Sequence, residues 1–192
     1  MLVIKNNLFK QSICCTNDCK KSTLPYLIVA LLIVFIQAVA ASESKHEEYE
    51  MINLSIGQVG ILDNIDGSQR YGIEYRFKSV ISPFGFDIAP AVGAAMADND
   101  AHYIYLDLKH DFYVSNHWLI IPSFGLGSFK DSKDIKLGSD LEFRSGVEFA
   151  YQFPNKYRAG VALFHLSNGG ISSVNPGMEV LVFSFSIPIL DN

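Results

Sequence analysis

The feature that most restricts this chain is a period of two. From residue 49 onward, large apolar side chains alternate with small or polar ones in eight short runs, and no long amphipathic helix interrupts them. The runs are 49–61, 69–77, 84–96, 102–112, 118–129, 141–153, 157–167 and 179–189. In 69–77, for example, Tyr71, Ile73, Tyr75 and Phe77 oppose Gly72, Glu74 and Arg76. Turn residues such as Asp98-Asn99-Asp100, Ser115-Asn116-His117 and Pro154-Asn155-Lys156 separate them. The class is therefore all-β.

A soluble sandwich and a membrane barrel both alternate in this way, so periodicity alone admits either. Run length and run ends favour the barrel. A tilted strand needs roughly ten residues to cross a bilayer, and interfacial aromatics mark its ends. These runs have that length and carry Tyr, Phe and Trp near their ends. Closing an even number of strands also removes every unpaired edge from the lipid. The expectation is an eight-stranded antiparallel up-and-down transmembrane β-barrel. Glu74, Arg76, Asp107, Lys109, Glu142, Arg144 and Glu148 then point inward as paired charges. With both chain ends periplasmic, 63–68, 97–101, 130–140 and 168–178 are outer loops, and 78–83, 113–117 and 154–156 are periplasmic turns.

The start of the chain sends it out of the cytoplasm. Residues 1–23 hold Lys5, Lys10, Lys20 and Lys21 against the single acid Asp18, and 24–41 is almost wholly apolar, with Ala38-Val39-Ala40 near its end. A basic region, an apolar region and an A-x-A site read as a secretory signal peptide. Residues 1–41 are expected to be cleaved, leaving a barrel domain over 42–192; the competing reading is an uncleaved anchor of near-spanning length. Cys14, Cys15 and Cys19 all precede the apolar run, so the mature chain has no disulfide, zinc or thiol chemistry. Four of the 15 Lys and Arg and one of the 20 Asp and Glu fall in 1–41, leaving 11 bases against 19 acids. That balance argues against a nucleic-acid partner.

Chemistry concentrates in one stretch, Phe164-His165-Leu166-Ser167-Asn168-Gly169-Gly170, followed by Asn175-Pro176-Gly177-Met178-Glu179. His165 and Ser167 are two apart, so a strand puts both on one face. If runs seven and eight form a hairpin across the loop 168–178, Glu179 flanks His165 from the neighbouring strand. Parity places all three with Val161, Leu163, Leu181 and Phe183, on the lipid side of the wall, where an imidazole and a carboxylate are costly unless paired. The roles that follow are Ser167 as nucleophile, His165 as general base and acid, and Glu179 as the group that sets the imidazole tautomer. Asn168 and the backbone N–H groups of Gly169 and Gly170 are candidate oxyanion donors. Asn175 is expected to hold the loop or the Glu. The plainer alternative is that His165 and Ser167 are interfacial residues at a strand end. His46, His102, His110 and His117 read as solvated or interfacial, with no ligand cluster at metal spacing.

The stretch Leu163 to Ile171, then Asn175 to Glu179, then a strand ending Ser184-Phe185-Ser186-Ile187-Pro188-Ile189, resembles the lipid A 3-O-deacylase (PagL-type) outer-membrane family. The resemblance is specific over about 160–189 and extends over the mature chain in architecture. It implies an esterase of the bacterial outer membrane that removes the 3-position acyl chain of lipid A in lipopolysaccharide, at the outer leaflet. It implies that Ser167, His165 and Glu179 are catalytic, that Asn168, with Gly169 beside it, contributes to the oxyanion site, and that Asn175 supports it. No metal or cofactor is implied, and a homodimer stays open as the assembly state. Lys130, Lys133 and Lys136 in an outer loop are candidates to meet lipid A phosphates. Two rivals stand beside it: another lipid acyltransferase or phospholipase on the same scaffold, and a non-enzymatic structural or adhesive barrel.

Overall fold

The computed structural model describes residues 48–61 and 67–190. The expected signal peptide lies outside the described residues, as do the three cysteines and most of the first outer loop. Nine strands follow one another: β1 (Glu50–Val59), β2 (Gln69–Arg76), β3 (Ala89–Ala97), β4 (His102–Lys109), β5 (Phe112–Tyr113), β6 (Trp118–Lys130), β7 (Leu141–Gln152), β8 (Arg158–Ser167) and β9 (Met178–Ile189).

Every pairing is antiparallel, in the order β4-β3-β2-β1-β9-β8-β7-β6, and β4 pairs with β6 to close the ring. Two-residue β5 pairs with β6 just beyond β4, at Phe112↔Ile120 and Tyr113↔Leu119. It continues the β4 wall past a break at His110 and Asp111. The wall is thus an eight-stranded closed barrel, as the alternation predicts.

The two faces sort as expected. Leu54, Ile73, Ile104, Phe124, Phe149 and Phe183 stand exposed on the outer wall. A continuous apolar exterior of this kind belongs against lipid. Glu74, Asp107, Lys109, Glu142, Arg144 and Glu148 are buried inside. Lys109 pairs with Glu74, to which the Tyr105 hydroxyl also donates at 3.1 Å. Arg144 pairs with Asp107 and lies over the Phe164 ring, 3.5 Å from its centroid.

The interior is layered along the barrel. An apolar plug of Tyr103, Phe129, Ile135, Leu137, Phe164, Leu166, Met178 and Val180 fills the end bearing the 131–140 and 168–177 loops. Below it lies the ionic band. At the other end, where the described chain begins and ends, Asp111 sits between Arg76 (2.6 Å) and Arg158 (2.8 Å). Burial alone raises a carboxyl's pKa, but the two guanidiniums outweigh it and hold Asp111 well below the usual carboxylate range.

The fourth run, expected to continue to Phe112, ends at Lys109, with Phe112 in the separate β5, and the third run differs more. The third strand starts at Ala89, not Phe84. Pro83 opens a 3-10 turn over Pro83–Gly85, and Phe84 and Gly85 both take positive φ, +56° and +86°. Left-handed backbone cannot continue a strand. The connection between β2 and β3 is therefore 77–88, longer than the expected 78–83.

Candidate active site

β8 and β9 form a hairpin around the loop 168–177, and its register sets His165 directly opposite Glu179. Opposed residues on an antiparallel pair hold their Cβ atoms about 5 Å apart. From there His165 Nδ1 reaches Glu179 Oε1 at 3.0 Å. An ionised carboxylate only accepts, so Nδ1 carries the hydrogen and Nε2 is left with its lone pair. The imidazole is half exposed, at 48%, and the Glu179 side chain 20%. The pair lies at the loop end of the outer wall, above Leu163 and Leu181.

Ser167 closes β8 on the same face, two residues beyond His165 and opposite Phe143 of β7. The structure joins His165 to Glu179 directly and sets Ser167 beside them without a hydrogen bond to the imidazole. Such contacts commonly tighten only when substrate binds.

Gly177, the last residue before β9, has φ +73°. A Cβ built there would lie 2.9 Å from His165 Cε1 and 3.5 Å from Nε2. The backbone of 177 is thus the wall behind the Cε1–Nε2 edge of the ring. The Pro176-Gly177-Met178 triplet was visible in the sequence, but its approach to His165 depends on the hairpin register.

Asn168 is completely buried and fully used. Its Nδ2 donates to Leu137 O at 3.0 Å and to Val174 O at 2.8 Å, while Oδ1 accepts from Gly170 N at 3.0 Å. Its backbone N–H goes to Asn175 Oδ1 at 3.1 Å. Asn175 therefore holds the loop, not Glu179. Asn168 clasps the loop 168–177 to the loop 131–140, where Gly138 meets Val174 so closely that a Cβ would fall 2.2 Å from its carbonyl oxygen. Gly169 also turns left-handed, at φ +61°. Among the described residues its N–H makes no hydrogen bond, whereas that of Gly170 is engaged.

Sequence reading passed over one residue here. Ser145 of β7 pairs with His165 on the side away from Glu179 and is exposed on the same wall. A serine at an outward position between Phe143 and Val147 was the available signal. A mostly apolar hollow of about 760 Å³ lies on β9 and β1 to β4 and includes Phe183, Phe185, Ile73 and Ile104. It meets the hairpin only through β9.

A family model described as lipid A 3-O-deacylase (PagL) matches residues 69–188. Among solved structures, the crystal structure of the outer membrane enzyme PagL aligns with a TM-score of 0.60 at 20% identity, covering 72% of this chain and 99% of that one. The crystal structure of Neisserial surface protein A aligns with a TM-score of 0.47 at 11% identity, over 73% of this chain and 96% of the other. No curated protein matches the sequence.

Proposed function

The chain belongs to the lipid A 3-O-deacylase (PagL) family, and from that premise we propose that it hydrolyses the ester holding the 3-position acyl chain of lipid A through Ser167, His165 and Glu179. It is a β-barrel of the bacterial outer membrane. The observation that carries the site assignment is the His165–Glu179 hydrogen bond on the lipid-facing wall, with Ser167 on the same face.

In this reading residues 1–41 are a cleaved signal peptide and 42–192 the barrel domain. The chain ends face the periplasm, and the hairpin loop 168–177 faces outward. Lipid A in the outer leaflet then meets the site without leaving the membrane, its acyl chain along Leu163 and Leu181.

Ser167 Oγ attacks the ester carbonyl carbon while His165 Nε2 takes the hydroxyl proton. Glu179, accepting from Nδ1, holds the tautomer that leaves Nε2 basic and stabilises the imidazolium. The carbonyl oxygen becomes an oxyanion. Asn168, whose side-chain N–H groups are committed to the loop clasp, contributes by shaping the turn, and Gly169 offers the unengaged backbone N–H. Collapse of the intermediate expels the sugar 3-oxygen, which takes the proton from Nε2. Water, deprotonated by the same imidazole, then releases the fatty acid and restores Ser167.

The purified barrel in detergent, given lipid A in ¹⁸O-water, tests this reading. Release of a 3-hydroxy fatty acid carrying one ¹⁸O from lipid A, and not from phospholipid, is expected. Transfer of the acyl chain to another lipid without ¹⁸O would make it an acyltransferase, and an inert barrel would make it structural.

A further inference from the structure

The 77–88 connection is unlike a tight turn. It begins where β2 leaves the wall and projects from the end of the barrel where the described residues begin and end. Phe84 at its tip is 99% exposed, and Val80 and Ile81 are also exposed. Left-handed backbone is rare for a bulky side chain and persists only where neighbours hold it. Here they do. Phe86 packs edge-on against His110 and Phe112, with centroids 5.3 and 5.9 Å apart, and His110 Nδ1 donates to Asp87 O at 2.9 Å. The loop is therefore docked on the neighbouring connection, and Phe84 is held outward.

Many of its polar groups are paired. Val80 N–H bonds Ile88 O, Ile88 N–H bonds Ile81 O, Gly85 N–H bonds Ser82 O and Phe86 N–H bonds Pro83 O. Ser82 Oγ donates to Asp87, while Ser79 gives both its N–H and its hydroxyl to Glu48. Between Ser79 and Asp87 no side chain is charged. Each of these bonds removes a polar group that would otherwise have to be dehydrated, which lowers the cost of bringing an apolar tip to the lipid interface. The apolar surface also runs on from the wall: Phe77, exposed and packed on Tyr75 at 4.8 Å, continues the outward row Tyr71, Ile73 and Tyr75 directly into the loop.

We propose that the 77–88 connection is a membrane anchor: it dips into the phospholipid leaflet at this end of the barrel, with Phe84, Val80 and Ile81 below the headgroups. Its occupant is lipid because the patch is uncharged and continuous with the lipid-facing wall, as interfacial apolar elements are. The assignment is independent of the esterase reading.

Trp118 is the chain's single tryptophan, so Trp118→Phe with Phe84→Trp leaves one indole, at the tip. Trp118→Phe with Val80→Trp reports on the same loop should the tip substitution disturb the turn. Each is refolded into phosphatidylcholine vesicles, and the barrel is verified by heat-modifiable migration. The expected result is quenching by lipids brominated near the headgroup end of the chain, with acrylamide access several-fold below that of the urea-unfolded protein. An indole that acrylamide reaches as freely as in the unfolded chain, with no bromolipid quenching in either variant, would overturn the proposal and leave the loop as a surface for a periplasmic protein.

Discussion

The backbone of Gly177 stands against the imidazole of His165, so close that a Cβ at 177 would lie 2.9 Å from Cε1. Two requirements meet at this residue, a left-handed φ of +73° and empty space beside the ring. They separate experimentally. Asn tolerates left-handed backbone far better than Ala does, but both bring a Cβ. If space is what matters, Gly177→Asn and Gly177→Ala both lower kcat by roughly 10²-fold, the scale expected for a misplaced catalytic group, with KM little changed. Retained activity in Gly177→Asn alone would assign the glycine to backbone conformation.

Two serines flank His165, Ser167 along its own strand and Ser145 across β7. Hydrogen-bonding Glu179 fixes one side of the ring, and Ser167 shares the loop end with the free Gly169 N–H. Ser167→Ala is therefore expected to lose roughly 10⁴-fold or more in kcat, while Ser145→Ala stays within about tenfold of wild type. Steady-state hydrolysis of lipid A by folded variants measures both, and the reverse ranking would make Ser145 the nucleophile.

Glu179→Gln keeps the shape but removes the charge that holds the imidazole tautomer and stabilises its protonated form. A drop in kcat of about 10³- to 10⁴-fold is expected, with Glu179→Asp recovering part of it. The same assay reads this, and a Gln variant as active as wild type would remove Glu179 from the mechanism.

Asn168 ties two loops together through buried hydrogen bonds to Leu137 O and Val174 O. Truncation leaves those carbonyls unsatisfied, each costing about 1–3 kcal/mol. Asn168→Ala is expected to keep the barrel, lose most activity and expose the 168–177 loop to protease. Limited proteolysis of the embedded protein checks this: cleavage in that loop should speed up in the variant while the strands stay protected.

Asp111 makes stability depend on pH with a definite sign. Its folded pKa lies below the ordinary value, held there by Arg158 and Arg76 against the effect of burial. The folded state is therefore favoured by ionisation, fully above the unfolded pKa near 4, and this contribution fades as pH falls further. Asp111→Asn leaves both guanidiniums without a counter-charge and is expected to cost about 3 kcal/mol. Urea unfolding in detergent should show a lower midpoint for the variant at pH 7, and a smaller loss than wild type between pH 5 and pH 3.

Much of this was legible because a period of two has few physical realisations. The alternation of Tyr71, Ile73 and Tyr75 with Gly72 and Glu74 assigns inside and outside without knowledge of register. Once 168–178 reads as a loop, His165 and Glu179 can fall opposite each other. What stayed hidden depends on non-local contact. Asn168 looks like an oxyanion donor from its place after Ser167, and only the packing of the 131–140 loop shows where its amide hydrogens go. Ser145 lies on a strand remote in sequence from the motif. Phe84 alternates with Phe86 as a strand would, while Pro83 and Gly85 beside it carry the turn instead.

The central claim is tested most directly by mass spectrometry of lipid A from cells making the wild-type protein or Ser167→Ala, with both barrels verified as folded in the outer membrane. Loss of one 3-hydroxyacyl chain from the 3-position with wild type, and intact lipid A with Ser167→Ala, is the predicted result. Intact lipid A in both, or deacylation in both, would contradict it.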